Sequence, residues 1–178
     1  MVTALLAPFS ACALGNRPRA LIVPHAGYIY SGAIAASAYA CLRMHHYSRV
    51  VLLGPAHRVA VRGLALPTVD TFSKPLGNVP LATELIEKLN SLPGISLRDD
   101  AHAEEHALEV QLPFLQSVWT DSPPWTLLPV VVGFTPPEQV AAFLHTAMDE
   151  NTLLIISTDL SHFHRYHDAQ KIDAQTIN

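Results

Sequence analysis

Four short runs of unbroken apolar residues set the strongest limit on how this chain can fold: Ala20 to Val23, Val50 to Leu53, Leu127 to Val132 and Leu153 to Ser157. They lack the apolar–polar alternation of a strand with one wet face. Continuous runs suit strands buried on both faces, as in a mostly parallel sheet covered by helices. Helical segments lie between them. Ser31 to Met44 is rich in alanine, with Ser31 placed as its N-cap. Leu81 to Leu89 gathers Leu81, Leu85, Ile86 and Leu89 on one face. Glu104 to Val118 reads as a helix that Pro113 kinks or divides, and Pro137 to Met148 as one that opens on Pro137. Gly63 to Asp70 is expected to be a further strand, near an edge because of Pro67, and Ile95 to Arg98 a short one. Strands alternating with helices predict a layered α/β fold with helices on both sides of the sheet.

A chain of 178 residues fits one domain, and 49% apolar with 15% charged residues is a globular composition. The net charge of -4 and the lack of a basic stripe argue against nucleic acid as a partner. Two cysteines, Cys12 and Cys41, make no disulfide framework and suit a reducing, cytoplasmic setting. No apolar run reaches the roughly 18 residues of a membrane helix. The apolar start, Met1 to Leu14, has no basic segment before it, so it reads as a first helix rather than a secretory signal.

Ten histidines are the compositional anomaly, and several follow strands. Ala20–Val23 leads into Pro24-His25-Ala26-Gly27. Val50–Leu53 leads into Gly54-Pro55-Ala56-His57, and Leu153–Ser157 into Thr158-Asp159-Leu160-Ser161-His162. In an open parallel sheet, ligands bind in the crevice outside the carboxyl ends of the strands. Parallel neighbours would therefore bring His25, His57 and His162 to one cleft, with Asp159 beside them. A single histidine after a strand is more often an ordinary loop residue, but three at equivalent positions favour a shared site. Two imidazoles and a carboxylate suit a divalent metal, either non-haem iron or zinc. A histidine that is not a ligand can move protons.

Glu104-Glu105-His106-Ala107-Leu108-Glu109 places His106 and Glu109 on one helix face, either as a shell that orients metal ligands or as a solvated helix start. His164 and His167 read as surface residues. His45 and His46 precede a strand, on the wrong side of the sheet, and His102 and His145 lack convergent neighbours. A hydrolytic triad of Ser161, His162 and Asp159 is disfavoured, because adjacent residues rarely point at each other and no G-x-S-x-G elbow is present.

Four segments carry a family resemblance. Pro24-His25-Ala26-Gly27-Tyr28 with Tyr30-Ser31-Gly32, Leu53-Gly54-Pro55-Ala56-His57, Glu105-His106-Ala107-Leu108-Glu109 with Leu112-Pro113, and Ser157-Thr158-Asp159-Leu160-Ser161-His162 occur in the order seen in Memo proteins. The chain resembles that family, known in prokaryotes as AmmeMemoRadiSam system protein B. The family is similar in fold to the catalytic subunits of class III extradiol dioxygenases.

The resemblance implies a three-layer α/β/α sandwich with a mostly parallel or mixed sheet. It implies His25 and His57 as metal ligands, with iron (Fe2+) first and copper as an alternative, while zinc stays open on ligand type alone. It implies that Asp159 and His162 line the same pocket, with His162 in the place of an acid/base, so both are expected to be catalytic; His106, Glu109 and Tyr28 are expected to line that pocket. It leaves two functions open: a redox, dioxygenase-like enzyme, or a non-catalytic peptide-binding adaptor with a vestigial pocket. The partners implied are a small molecule or peptide and the other AmmeMemoRadiSam proteins, with no membrane or nucleic acid. The family's third metal ligand is a cysteine well beyond the His162 region. Residues 1–178 are therefore expected to form one Memo-like domain that is a fragment, incomplete at both ends of its sheet.

Overall fold

A computed structural model describes residues 1–10 and 16–177. Cys12 and the end of the apolar opening lie outside the described residues. Within that opening, α1 (Val2–Leu6) is a single short helix.

Each of the four apolar runs forms a strand, the first with the same bounds, the last two one residue longer and the second three residues longer. They are β1 (Ala20–Val23), β2 (Arg49–Pro55), β7 (Thr126–Val132) and β8 (Thr152–Ser157). With β3 (Leu64–Leu66) and β6 (Ile95–Leu97) they make a six-stranded sheet in the order β1-β8-β2-β7-β3-β6. The first four strands are mutually parallel, and β3 reverses direction against β7. The sheet is therefore mixed.

Topology then dictates the layers. Helix α2 (Tyr28–Ala40) carries the chain from β1 rightward across β8 to β2. Helix α7 (Pro137–Ala147) carries it leftward from β7 across β2 to β8. Right-handed crossovers running in opposite directions put their helices on opposite faces. One layer is α1, α2 and α6 (Leu112–Val118), which pack on one another, with α5 (His106–Glu109) against β2. The other pairs α7 with α3 (Thr83–Leu89). The result is a three-layer α/β/α sandwich.

Burial follows position in the sheet. The five middle residues of β2 and of β7 are all buried. Pro129 has no N–H to donate, and it precedes the part of β7 that pairs with β3. The apolar run of β1 is as continuous as the others, yet β1 is an edge strand and Ile22 is 66% exposed. Continuity of a run thus does not by itself locate a strand in the middle of the sheet. Conversely, β3 is fully buried between β7 and β6, not at the edge expected from Pro67, because Pro67 follows the strand. Close backbone packing holds β3 in place: a Cβ on Gly63, whose φ is +83°, would lie 2.0 Å from the Gly94 carbonyl oxygen.

Two helix boundaries differ from expectation. Helix α2 starts three residues before Ser31, with Gly27 as its N-cap, and the Ser31 hydroxyl donates to the Ala26 carbonyl instead. Glu104–Val118 is divided into α5 and α6, with Pro113 in the first turn of α6, where its missing N–H costs nothing. The sequence patterns missed the hairpin of β4 (Thr71–Lys74) and β5 (Gly77–Pro80), the short α4 (Asp99–Ala103), and α8 (Tyr166–Ile177). Cys41 ends α2, with its Sγ 3.6 Å from the Ser37 carbonyl oxygen. No described helix is long and apolar enough to cross a membrane.

Candidate metal centre

Because β1, β8 and β2 are parallel neighbours, their carboxyl ends open on the same side of the sheet. The registers Val23↔Ser157 and Leu53↔Ile156 bring the loops after them together. The rings of His25 and His57 lie 5.2 Å apart between centroids. A third imidazole arrives from α5: His106 is 5.3 Å from His57 and 5.8 Å from His25. Helix α5 reaches this point because it lies directly on β2, where a Cβ on Gly54 would come within 2.7 Å of Leu108 Cδ2.

The proton positions on these rings follow from their partners. His25 is 2% exposed, and its Nδ1 is 3.0 Å from Ser157 Oγ. That hydroxyl already donates its single proton to the Ala107 carbonyl at 2.6 Å and accepts from Gln111 Nε2 at 2.9 Å. It can only accept from His25, so Nδ1 carries the hydrogen and Nε2 keeps its lone pair. Nε2 is buried and has no hydrogen-bond partner in the protein. Burial lowers the His25 pKa. The Asp159 carboxylate opposes that shift, and positive charge on His57 or His106 adds to it. The ring is therefore neutral near pH 7, with an unsatisfied donor atom aimed at its neighbours.

His57 is held in the same tautomer. Its Nδ1 donates to Glu105 Oε1 at 2.9 Å, so in the neutral ring Nε2 carries the lone pair. Glu105 is buried and also accepts from the backbone N–H groups of His57 (2.7 Å) and Ala107 (3.0 Å). Burial acts to raise the Glu105 pKa, but these hydrogen bonds outweigh it and hold the carboxyl below its usual range. A carboxylate behind a histidine that offers its far nitrogen is the arrangement that orients metal ligands. His57, Glu105 and His106 can each present a donor atom within 4.8 Å of the others.

Asp159 closes the other side. Its Oδ1 accepts from the backbone N–H groups of His25 (2.6 Å) and Ala26 (3.1 Å). Its Oδ2 lies 3.7 Å from His25 Nε2 and 3.8 Å from His162 Nε2. The loop that carries both residues is strained: Leu160 and Phe163 have φ of 60°. His162 Nδ1 donates to the Leu160 carbonyl at 2.9 Å, so in the neutral ring Nε2 carries the lone pair. Ser161 makes no bond to His162, and its N–H donates to Asp173, so these neighbours do not form a hydrolytic triad.

The other site residues named from the sequence sit elsewhere. Glu109 pairs with Lys74 at 2.9 Å and lines a cavity beside β4 whose wall also includes Glu105 and His102. Tyr28 packs inward on Phe114 and donates to the Val110 carbonyl at 2.8 Å. Burial, with the Glu109 charge nearby, pushes its pKa up to about 12. It is Tyr30, 80% exposed, that lines a cleft of about 480 Å3 with Ile22, Ile34, Asp159 and His162. Sequence reading missed the anchoring roles of Ser157, Gln111 and Glu105. Each is a buried polar residue, and its burial and partners are visible only in the structure.

Comparison with known proteins bears on the family and the fold. A family described as Memo-like protein matches residues 3–178. A MEMO1 family protein of Aquifex aeolicus is 38% identical over 166 residues, covering 91% of this chain and 61% of the relative. A memo-1 homolog of Caenorhabditis elegans is 37% identical over 150 residues, covering 82% of this chain and 43% of the relative. The chain thus spans 43% to 61% of the length of these relatives. An uncharacterized Escherichia coli K12 protein of known crystal structure shares the fold, with a TM-score of 0.55 at 18% identity over 83% of this chain and 62% of the other.

Proposed function

The chain belongs to the Memo-like family, and on that premise we propose that it binds a divalent metal ion at the carboxyl ends of β1 and β2, through Nε2 of His25 and Nε2 of His57. The observation that carries this reading is the buried, unpartnered Nε2 of His25. Leaving such an atom unsatisfied costs about 1–3 kcal/mol, and the Ser157–Gln111 and Glu105 anchors hold both rings in the tautomer that a metal needs. Iron(II) is the ion proposed, with copper or zinc compatible with the same nitrogen donors. When bound, the ion would supply a Lewis acid that orients and polarises a substrate oxygen.

The remaining roles belong to the chain's own side chains. His162 Nε2 takes up or returns a proton at the mouth of the site. Asp159 Oδ2, near both His25 and His162, stabilises the imidazolium that results. The adjoining cleft, with Ile22, Ile34 and Tyr30 on its wall, would receive a small organic substrate. The exposure of Tyr30 favours a second reading, in which that cleft holds a peptide side chain and no reaction follows. Metal content of the tag-free chain purified without oxygen tests the first reading. One equivalent in the wild type, lost in both His25→Ala and His57→Ala while each stays folded, supports it. A folded wild type without metal above background refutes it.

A further inference from the structure

We propose that the cleft beside the metal site selects an apolar organic ligand that carries an amine or hydroxyl donor and rejects one that carries a carboxylate or phosphate, with Asp159 Oδ2 as the discriminating group. The inference rests on the reading of that cleft as the place where an organic substrate lies, and it names the charge class of that substrate.

The character of the cleft wall is the first support. At about 480 Å3 the cleft has the size of a small-molecule pocket. Ile22 on β1 and Tyr30 and Ile34 on α2 line it, and each is at least 65% exposed. Apolar side chains gathered in the open in this way mark a binding surface. Among the described residues that line the cleft, none is Lys or Arg, and the single carboxylate is Asp159. An anionic substituent would leave water for a cleft in which no fixed cation receives it.

Asp159 adds an attraction for donors. Its Oδ1 is committed to the backbone N–H groups of His25 and Ala26, which hold the carboxylate in place. Its Oδ2 lies 3.7 Å from His25 Nε2 and 3.8 Å from His162 Nε2, too far for a hydrogen bond to either ring. Asp159 therefore lines the cleft with acceptor capacity to spare at that oxygen. A ligand hydroxyl can donate to it, and an ammonium makes a stronger, charge-assisted bond. A carboxylate or phosphate meets the same oxygen as a like charge, and apolar walls around a cleft of one sign focus that field.

Three compounds of one shape test this: 2-phenylethylamine, 2-phenylethanol and 3-phenylpropionate. The metal-free chain is used, because a bound divalent ion would add its own positive charge. Isotope-labelled methyl groups of Ile22 and Ile34 report binding by NMR near pH 8, which keeps ordinary imidazoles neutral. The amine should bind about tenfold more tightly than the carboxylate, with the alcohol between them, from one attraction and one repulsion of the size seen for exposed charge pairs. Asp159→Asn keeps the shape of the side chain and an Oδ1 acceptor, and it should bring amine and carboxylate within about twofold of each other. A carboxylate bound as tightly as the amine, an amine preference that survives in Asp159→Asn, or no shift at Ile22 and Ile34 with any of the three overturns the proposal. Zinc titration of the same chain judges the metal reading separately. Zinc bound without an amine preference overturns only the charge assignment, and an amine preference without zinc binding overturns only the metal reading.

Discussion

Ser157→Ala isolates the device that sets the proton on His25. The Ser157 hydroxyl is a node with three bonds: to the Ala107 carbonyl, from Gln111 Nε2 and from His25 Nδ1. Alanine keeps the backbone of β8 but removes every one of them. Gln111 retains its second bond, to the Pro24 carbonyl at 2.9 Å. The Ala107 carbonyl and His25 Nδ1–H lose the bonds described, both in a buried setting. At about 1–3 kcal/mol for each buried group left unpaired, the loss should be roughly 2–6 kcal/mol. Equilibrium urea unfolding of the metal-free chain, followed by tryptophan fluorescence, reads it as a lower midpoint at constant slope. The same variant frees the His25 ring to rotate or change tautomer, so zinc affinity by calorimetry should drop about 10–100-fold. A change in stability below ~0.5 kcal/mol with unchanged zinc affinity would refute the claim that this node organises the site.

Other perturbations probe its surroundings. Glu105→Gln keeps the size of the side chain but weakens a three-donor acceptor. It should destabilise the fold by about 1–3 kcal/mol and lower metal affinity, measured by denaturation and calorimetry. Gly54→Ala presses a methyl group to within 2.7 Å of Leu108. Overpacking there should cost about 1–3 kcal/mol, seen as a lower melting midpoint, and a neutral result would mean that α5 moves freely over β2. Tyr28→Phe removes one hydrogen bond, to the Val110 carbonyl, in which no site histidine takes part, so it should cost roughly 1 kcal/mol while metal stoichiometry stays at wild-type level. Acid should weaken the metal-free protein in two stages. Burial lowers the pKa of His25 and of His102 from 6.5, so the unfolded chain binds more protons. Stability from these groups is complete above pH 6.5 and is lost as pH falls from there toward their lowered values. Glu105, held below 4.5, adds its loss only under more acid conditions. A denaturation midpoint that is flat between pH 7.5 and 5.5 would contradict the neutral assignment of His25 and His102.

The sheet was legible in the sequence because parallel strands buried on both faces leave unbroken apolar runs. Its order was not legible, since β1 and β2 carry equally continuous runs while only β2 is central. The β4–β5 hairpin escaped notice because Thr71–Lys74 and Gly77–Pro80 are short, polar and largely unburied. Helix α8 was missed for a similar reason: it buries no residue, so it has no apolar stripe to read. The convergence of His25 and His57 was visible from their equivalent places after parallel strands. The arrival of His106 was not, because it depends on α5 packing directly over Gly54. Roles such as that of Ser157 depend on which partner uses a hydroxyl proton, and only three-dimensional contacts reveal that.

The central claim is that two strand-end histidines present unprotonated Nε2 atoms to one ion. Long-range proton–nitrogen NMR of the imidazoles tests it most directly, on metal-free protein near pH 7 and again after one equivalent of zinc. The account predicts that His25 and His57 both carry hydrogen on Nδ1 before zinc, and that both Nε2 signals shift together when zinc is added. Hydrogen on His25 Nε2, or a zinc response that leaves both rings unmoved, would contradict it.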